Sequence, residues 1–193
     1  MAITINGNGT ISGISAGGLP TGSVTTDTLA TNAKPLFSSY ALLTDKKDGA
    51  TDGGTNVANT WQKRTLNNEV IDTDNIVSLN NSEFTLGVGT YFIKFIVPNY
   101  KGVSTNAQLY DVTAGAAVQT NAVNMTSYGS ASYAGYSFAH NWARVTISSG
   151  TNTYYIRNYS DGANTNGGWG LNIPDDNALY SYYTTVEIYK EAG

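Results

Sequence analysis

Residues 61–97 read WQKRTLNNEVIDTDNIVSLNNSEFTLGVGTYFIKFIV, and this stretch decides the fold class. Apolar runs of four to nine residues, at 76–79, 83–86 and 89–97, are separated by turn-forming Asn, Ser and Gly. Runs of this length rich in Val, Ile, Phe and Tyr predict β-strands, and the Asn80-Asn81 pair predicts the turn between the first two. The stretch therefore indicates a series of short antiparallel strands.

The run at 89–97 makes the strongest of these predictions. One side of such a strand would carry Tyr91, Ile93, Phe95 and Val97, and the other Phe92, Lys94 and Ile96. Because this strand is apolar on both faces, we expect it to be central in a sheet. Because proline cannot donate a ladder hydrogen bond, Pro98 is expected to close it.

Further strands are predicted on both sides of this stretch. They cover residues 38–44, 57–67, 107–112, 116–125, 138–148, 154–159 and 183–189. Residues 45–55 read as a turn-rich loop, and Leu109 and Val112 are candidates for burial. No segment has a helical period. About ten strands in a chain of this length predict two packed sheets, an all-β jelly-roll β-sandwich over residues 37–193.

The composition agrees with an all-β class. Hydrophobic residues make up 40% of the chain and charged residues only 12%, the remainder being rich in Asn, Thr, Ser and Gly. Ser and Asn compete with the helical backbone for hydrogen bonds, and glycine loses the most entropy in a helix. Fourteen tyrosines against five phenylalanines favour strands and hydrated interfaces.

Charge and cysteine content exclude several classes of function. A formal net charge of -4 provides no positive field for nucleic acid or for an anionic membrane surface. The absence of cysteine excludes disulfides and thiolate metal sites. The start MAITINGNGT lacks the features of a signal peptide, and the longest apolar run, 91–97, is too short to span a bilayer. We expect neither signal-directed export nor membrane insertion.

Residues 1–36 differ from the rest of the chain and form an extended N-terminal segment. Two period-2 runs flank an Asn-Gly-Asn-Gly turn, and a Thr-rich stretch without aromatic residues follows. Such a segment cannot build a core, so it is either a disordered tail or an attachment segment that orders on a partner. We favour attachment to another virion protein, capsid or tail, through the apolar residues Ile3, Ile5, Ile11, Ile14 and Leu19.

No catalytic residue is predicted. His140 is the single histidine, and no acidic residue lies within ten positions of it to complete a triad, so a partly buried or rim position at the start of a strand is expected. Glu69 and Glu83 could in principle pair as a glycosidase acid and base, but no cleft motif frames them. An enzyme, such as a polysaccharide hydrolase, is disfavoured.

No metal site or cofactor is predicted either. Carboxylates group at Asp45, Asp48 and Asp52, at Asp72 and Asp74, and at Asp175 and Asp176. The first group has a spacing that Ca²⁺ accepts, but it lacks the full EF-hand loop. Because Asp and Gly form turns by themselves, we expect solvated turn residues.

Trp169, within NTNGGWGLNIP, is the leading candidate for ligand binding. A loop tryptophan can stack on a sugar face while Asn164 and Asn166 bind its hydroxyl groups. The alternative, which large aromatic residues adopt more often, is packing onto the sandwich or across a subunit contact. Tyr180 is a further candidate, because the tyrosines at 128–136 and 180–183 could line either a subunit contact or a receptor surface. Their alternation with Ser, Ala and Gly is more typical of packing at a strand edge, and the sequence does not separate these readings.

The order of these motifs resembles the C-terminal head domains of phage tail fibres over about residues 37–193. The motifs are Asp52-Gly53-Gly54-Thr55, Trp61, Arg64-Thr65-Leu66-Asn67, Phe84-Thr85-Leu86, Gly87-Val88-Gly89-Thr90-Tyr91-Phe92-Ile93, Gln108-Leu109-Tyr110-Asp111 and Val186-Glu187-Ile188-Tyr189-Lys190. Such domains are similar to the globular heads of complement and tumour-necrosis-factor proteins, so the resemblance implies a homotrimeric ten-stranded jelly roll. Residues 1–24 resemble the start of short virion proteins in phages of aquatic bacteria. The loop at 160–182 is longer than the family pattern.

The expected function is therefore structural. We expect a bacteriophage virion structural protein, made in the host cytoplasm and displayed on the virion surface as a homotrimer. Without a shaft between the N-terminal segment and the head, a capsid decoration (cement) protein or short head fibre is favoured. The alternative is the receptor-binding tip of a tail fibre, attaching to host-surface glycan.

Overall fold

The structure is a computed structural model, which describes residues 4–5, 11–12, 33, 35–101, 104–118, 125–126, 135–172 and 179–193. The chain divides into two compact units, Met1–Leu36 and Phe37–Gly193. In the first unit, strands β1 (Thr4–Ile5) and β2 (Ile11–Ser12) pair antiparallel, with Ile5 opposite Ile11. The other three attachment candidates, Ile3, Ile14 and Leu19, lie outside the described residues.

The second unit consists of strands joined by turns and loops. They are β3 (Phe37–Asp48), β4 (Gln62–Lys63), β5 (Asn68–Asp72), β6 (Val77–Asn80), β7 (Glu83–Leu86), β8 (Gly89–Tyr100), β9 (Ser104–Asp111), β10 (Ala116–Ala117), β11 (Met125–Thr126), β12 (Tyr136–Ile147), β13 (Asn152–Ser160) and β14 (Tyr180–Glu191). The described part of the chain holds no α-helix, and thus no helix long and apolar enough to cross a bilayer.

The strands form two antiparallel sheets. The first sheet has the order β12-β8-β14-β3-β5, and the second the order β10-β9-β13-β7-β6, with β4 added beside β13 and β11 beside β9. The pairs β3 with β14, β7 with β13, β8 with β12, and β9 with β10 are nested from the two ends of the unit inward. This nesting is jelly-roll connectivity, so the predicted all-β jelly-roll sandwich is confirmed.

The core consists of the inward-facing side chains of both sheets. Strand β12 alternates strictly between exposed and buried positions, as expected for a strand with one face on a core. The fully buried large apolar residues are Leu43, Leu66, Phe84, Leu86, Tyr91, Ile93, Phe95, Leu109, Tyr154, Ile156 and Ile188. Burial of each such side chain stabilises the fold by about 1.5–3 kcal/mol.

Strand β8 confirms the central position predicted for it. It lies between β12 and β14, and the predicted inward residues Tyr91, Ile93, Phe95 and Val97 are all buried. Pro98 does not close the strand, because β8 continues to Tyr100. Pairing of β14 with β8 extends only from Tyr91 to Ile96, so at Pro98 the strand pairs only with β12, and proline's missing donor is tolerated there.

The predicted strand at 57–67 is wrong except for the two residues of β4. The segment turns instead, with Asn59 in the left-handed region at a φ of 56°. The backbone N–H of Val57 donates to Gln62 Oε1 at 2.7 Å, and that of Arg64 donates to the Ile156 carbonyl at 2.8 Å. These two backbone N–H groups are therefore hydrogen-bonded without the regular ladder of a β-strand.

Smaller differences concern the ends of strands. Strand β3 continues four residues into the predicted 45–55 loop and ends at Asp48. The turn between β6 and β7 is made by Asn81 and Ser82, both at positive φ, one residue later than predicted. Val112 directly follows β9 and is 39% exposed, so its predicted burial is wrong. Of the predicted strand at 116–125, the described residues contain β10 and the first residue of β11, while 119–124 lie outside them.

Candidate assembly interface

The outward side of the first sheet, here called the aromatic face, carries a row of rings across four neighbouring strands. Trp142 on β12 lies 5.7 Å from Phe92 on β8, measured between ring centroids, and Phe92 lies 6.5 Å from Tyr189 on β14. Tyr189 in turn lies 5.0 Å from both Tyr40 and Phe37 on β3. Cross-strand aromatic pairs of this kind stabilise the sheet.

Much of this surface is accessible in the single chain. Trp142 is 57% exposed, Phe138 44% and Ile96 37%, all on the same side of β12 and β8. On soluble proteins, contiguous exposed apolar patches larger than about a few hundred Å² mark sites of interaction, whereas single exposed apolar residues are common. The aromatic face is therefore the leading candidate for a functional surface in the described residues.

The charges within the aromatic face are paired with each other. Lys94 Nζ donates to Glu187 Oε2 at 2.7 Å, and this bond raises the pKa of Lys94. Arg144 donates through Nε and Nη2 to the two carboxylate oxygens of Glu191, both at 2.7 Å, which lowers the pKa of Glu191. These four residues contribute no net charge, which suits a surface to be buried, since interface cores are depleted in unbalanced charge.

His140 lies within this face, in the middle of β12, and not at the start of a strand as predicted. It is exposed, and its ring lies 6.4 Å from that of Phe138 in an edge-on arrangement. At one end of the face, a hollow of about 360 Å³ is lined by Pro98, Tyr136, Phe138, Gly170, Leu171, Tyr182 and Tyr183. The hydroxyl of Tyr136 donates to the Leu171 carbonyl at 3.0 Å, so the Trp169 loop borders the face.

Trp169 packs onto the sandwich. The guanidinium of Arg64 lies 4.6 Å from the centroid of its ring, and Arg64 Nη2 donates to its carbonyl at 2.9 Å. A Cβ atom added at Gly54 would lie 3.1 Å from Trp169 Cε3, so the backbone of that glycine lies directly against the indole. Cation–π contact and close packing therefore occupy the ring that was the leading candidate for sugar stacking.

Arg64 is fully buried, which residue type alone did not indicate. Its Nε donates to Thr184 Oγ1 at 3.0 Å, while Arg64 Nη1 and Trp169 Nε1 have no hydrogen-bond partner among the described residues. Burial lowers the pKa of Arg64 to about 9, against the opposing effect of the Asp45 carboxylate. This buried guanidinium fixes the Trp169 loop to β14.

Asp45 is also fully buried, so its prediction as a solvated turn residue is wrong. It lies within β3, where burial raises its pKa against the attraction of Lys47, whose Nζ lies 3.1 Å from Asp45 Oδ1. Asp48 is exposed, and Asp52 accepts a hydrogen bond from the Asn172 backbone at 2.7 Å. The described ranges contain no group of three His, Asp or Glu able to hold a metal ion, and Asp175 and Asp176 lie outside them.

The remaining ligand-binding candidates separate into two places. The backbone of Asn164 pairs with that of Asn56 through bonds of 2.9 and 3.0 Å, and the carbonyl of Asn166 accepts from Gly54 at 2.8 Å. Asn164, Asn166 and Trp169 thus all lie along residues 53–56. Tyr180, at the start of β14, instead lies under Lys46 Nζ, 3.6 Å from its ring centroid, and is 48% exposed.

The row of rings on the aromatic face is what sequence reasoning missed. The alternation in β12 was visible, because Phe138, His140, Trp142 and Arg144 occupy every second position. What the sequence did not show is which face of β12 points outward or that Phe92 and Tyr189 lie beside Trp142. That placement depends on the register of β8 between β12 and β14.

No protein-family model and no curated protein matches the chain. Among solved structures, murine APRIL at pH 8.5 is similar with a TM-score of 0.48 and 9% identity, over 79% of this chain and 98% of that one. The globular domain of zebrafish complement 1qA protein has a TM-score of 0.44 and 16% identity, over 80% and 96%.

Proposed function

We propose that this chain is a non-enzymatic structural protein that assembles into a homotrimer through its aromatic face. The observation that carries the proposal is the row of rings ending in Trp142, which is 57% exposed while the neighbouring charges are paired within the face. Burying this surface against identical copies would remove it from water without leaving a charge unpaired. The three-fold order comes from the sequence resemblance to trimeric head domains.

The proposed setting is the surface of a tailed-phage particle. Residues 37–193 would form the displayed head, and residues 1–36 would attach it to a virion protein through Ile3, Ile5, Ile11, Ile14 and Leu19. Capsid decoration, as a cement protein or short head fibre, is the preferred role. The support is the resemblance of the motifs and of residues 1–24 to virion proteins, and the lack of a shaft between the two parts.

A second candidate role is the receptor-binding tip of a tail fibre. The observation that favours it is a strip on the outward side of the second sheet, in which the cations Lys63 and Arg157 lie beside the rings of Trp61, Tyr110 and Tyr155. Because that side is opposite the aromatic face, it would remain accessible in the proposed trimer.

Native mass spectrometry of the full chain tests the assembly. A particle of three 20.5 kDa chains is expected. A monomer at micromolar concentration would contradict the proposal, and a dimer would contradict its three-fold order.

Two measurements on particles test the setting. Removal of residues 1–30 should prevent incorporation into particles while leaving the trimer intact, because the head has its own core. Unchanged incorporation would refute attachment through this segment. Quantification of the protein in purified virions should give hundreds of copies for a shell protein and a handful of trimers for a tail tip.

A further inference from the structure

The outward side of the second sheet carries a second cluster of rings, here called the cation–aromatic strip. Its members are Trp61, Lys63, Gln108, Tyr110, Tyr155, Arg157 and Tyr159. The three β13 residues in it alternate with the buried residues Tyr154, Ile156 and Asn158, so their side chains point away from the core. All seven come from β9, β13 and the segment around β4.

Arg157 lies at the centre of the strip. Its guanidinium is 4.4 Å from the ring centroid of Trp61 and 4.6 Å from that of Tyr110. Nε and Nη2 donate to Gln108 Oε1 at 3.1 and 2.8 Å. Because Gln108 is opposite Arg157 in the pairing of β9 with β13, these contacts hold the guanidinium in one orientation. Because the Arg157 side chain is already ordered, binding a ligand would cost little additional side-chain entropy.

The rings of the strip are ordered in the same way. Trp61 is 37% exposed and lies 5.6 Å from Tyr159, whose hydroxyl donates to Asn59 Oδ1 at 2.9 Å. Tyr110 and Tyr155 stack at 4.9 Å with an angle of 26° between their planes. Flat, immobilised aromatic surfaces beside hydrogen-bonding groups contribute contact area at a low entropic cost.

The charge balance of the strip is positive. Lys63 forms an ion pair with Glu83 at 3.2 Å, but within the described residues Arg157 forms none. Arg144 on the aromatic face has a carboxylate partner, whereas the oriented guanidinium of Arg157 has none among the described residues. Guanidinium groups match carboxylates in geometry as well as charge, so the missing partner is best supplied by an acidic ligand.

We propose that the cation–aromatic strip binds an acidic glycan, with a sugar ring on the exposed indole of Trp61 and a sugar carboxylate on Arg157. The aromatic surface fits the apolar face of a pyranose, and the guanidinium selects uronic-acid-type sugars over neutral ones. A nucleic acid fits less well, because the chain has more carboxylates than cations. The inference specifies the ligand for the receptor-binding role. It rests on the proposed function in one respect, namely that the trimer formed through the aromatic face leaves the strip exposed.

The test is a titration of the full chain with acidic oligosaccharides at physiological salt. The probes are tetramers of galacturonate, guluronate and the repeating unit of hyaluronate, with the methyl ester of tetragalacturonate as an uncharged match. Binding is followed by isothermal calorimetry and by Trp fluorescence. Saturable binding of at least one acidic tetramer is expected, with loss of binding for the ester if the galacturonate tetramer is the one that binds. Absence of saturation with all three acidic probes overturns the proposal.

Variants then locate the site. Arg157→Gln should weaken binding about 10- to 100-fold, because a hydrogen-bonded ion pair is lost, and Trp61→Ala about tenfold. Lys101→Gln is the matched control, since Lys101 also lies over a tyrosine ring, at 5.3 Å from Tyr100, but outside the strip. Equal losses in the control and in Arg157→Gln would indicate non-specific electrostatic attraction and overturn the proposal.

The same samples separate this inference from the proposed function. The trimer mass of Arg157→Gln should equal that of the unaltered chain. If the protein is a trimer but binds no acidic probe, the proposed glycan site is wrong and the proposed trimer is unaffected. If it is a monomer that binds an acidic probe, the proposed trimer is wrong and the glycan site is unaffected. Circular dichroism melting shows whether each variant is folded.

Discussion

The two outer sheet faces are built by the same strand alternation but differ in how their charges are balanced. On the aromatic face, Lys94 and Arg144 each have a carboxylate partner within hydrogen-bonding distance. On the cation–aromatic strip, Arg157 is held by two rings and a glutamine amide instead. Exposed rings alone therefore do not identify the partner of a surface. A face with balanced charges suits burial against a copy of itself, and one with an unbalanced cation suits an acidic ligand.

A similar contrast exists between the two guanidinium–indole contacts. Arg64 lies 4.6 Å from the ring of Trp169 and Arg157 lies 4.4 Å from that of Trp61, so the two geometries are nearly the same. Arg64 is fully buried, whereas Arg157 is partly exposed. The same contact is thus structural in one place and available to a ligand in the other.

The largest expected effect is on stability. Arg64→Met should lower the free energy of unfolding by about 3–5 kcal/mol, because it removes the hydrogen bonds of a buried guanidinium to Thr184 Oγ1 and to the Trp169 carbonyl and takes away an electrostatic attraction on the buried Asp45 carboxylate. Urea denaturation at a fixed protein concentration measures this.

The matched control is Arg157→Met, which removes the same group from the partly exposed strip. Its expected effect is within about 1 kcal/mol, as for most surface contacts. If the two variants are equally destabilised, the contrast between the two guanidinium contacts is wrong.

The next effect concerns assembly. Trp142→Glu should raise the dissociation constant of the trimer at least about 100-fold, since it places a charge in the centre of the proposed contact. Trp61→Glu, the same change on the other face, should leave the constant unchanged. Sedimentation equilibrium over a dilution series measures both. If only Trp61→Glu dissociates the trimer, the subunit contact lies on the second sheet and the assignment to the aromatic face is wrong.

A smaller effect is expected for a charge within the aromatic face. Lys94→Met should weaken the trimer by about tenfold or more, because Glu187 would be buried without its 2.7 Å partner. The double change Lys94→Met with Glu187→Leu should recover most of that loss. If Lys94→Met assembles as tightly as the unaltered chain, the Lys94–Glu187 pair remains exposed to solvent in the trimer.

The smallest expected effect is on pH dependence. Because Arg144 lowers the pKa of Glu191, the stability due to this pair is fully present above the ordinary glutamate pKa and is lost as the pH falls through the lowered value. Arg144→Gln should therefore reduce the acid sensitivity of the urea midpoint between about pH 5 and pH 2. Arg157→Gln, which has no carboxylate to release, should leave the slope unchanged. If the urea midpoint changes with pH equally in Arg144→Gln and in the unaltered chain, the Arg144–Glu191 pair does not contribute to stability.

Most of the fold was predictable because it depends on local patterns. The alternation of Tyr91, Ile93, Phe95 and Val97 placed β8 in the core, and its apolar second face placed it centrally. The segment at 57–67 was not predictable, because its backbone is satisfied by the Gln62 side chain and by Ile156, which is far along the chain. Sequence periodicity does not report such bonds.

The sites were predictable only in part. Trp169 was identified as either a binding or a packing residue, and the structure places it against Arg64, 105 positions earlier. Asp45 reads as the start of a turn-rich loop that contains lysine and glycine, yet it lies inside β3, within the electrostatic reach of Arg64. Both outcomes follow from contacts between distant segments, which a single sequence does not encode locally.

By itself, the sequence determined an all-β chain with a distinct first 36 residues and a sandwich in which β8 is an interior strand, because composition and period-2 alternation act within each strand. Only the tertiary structure decided which sides of the strands face outward together. It joined Phe92, Trp142 and Tyr189 into one face, and Trp61, Tyr110 and Arg157 into the other. The physical reason is that strand register and sheet order set these neighbours, and both are fixed by packing across the whole core.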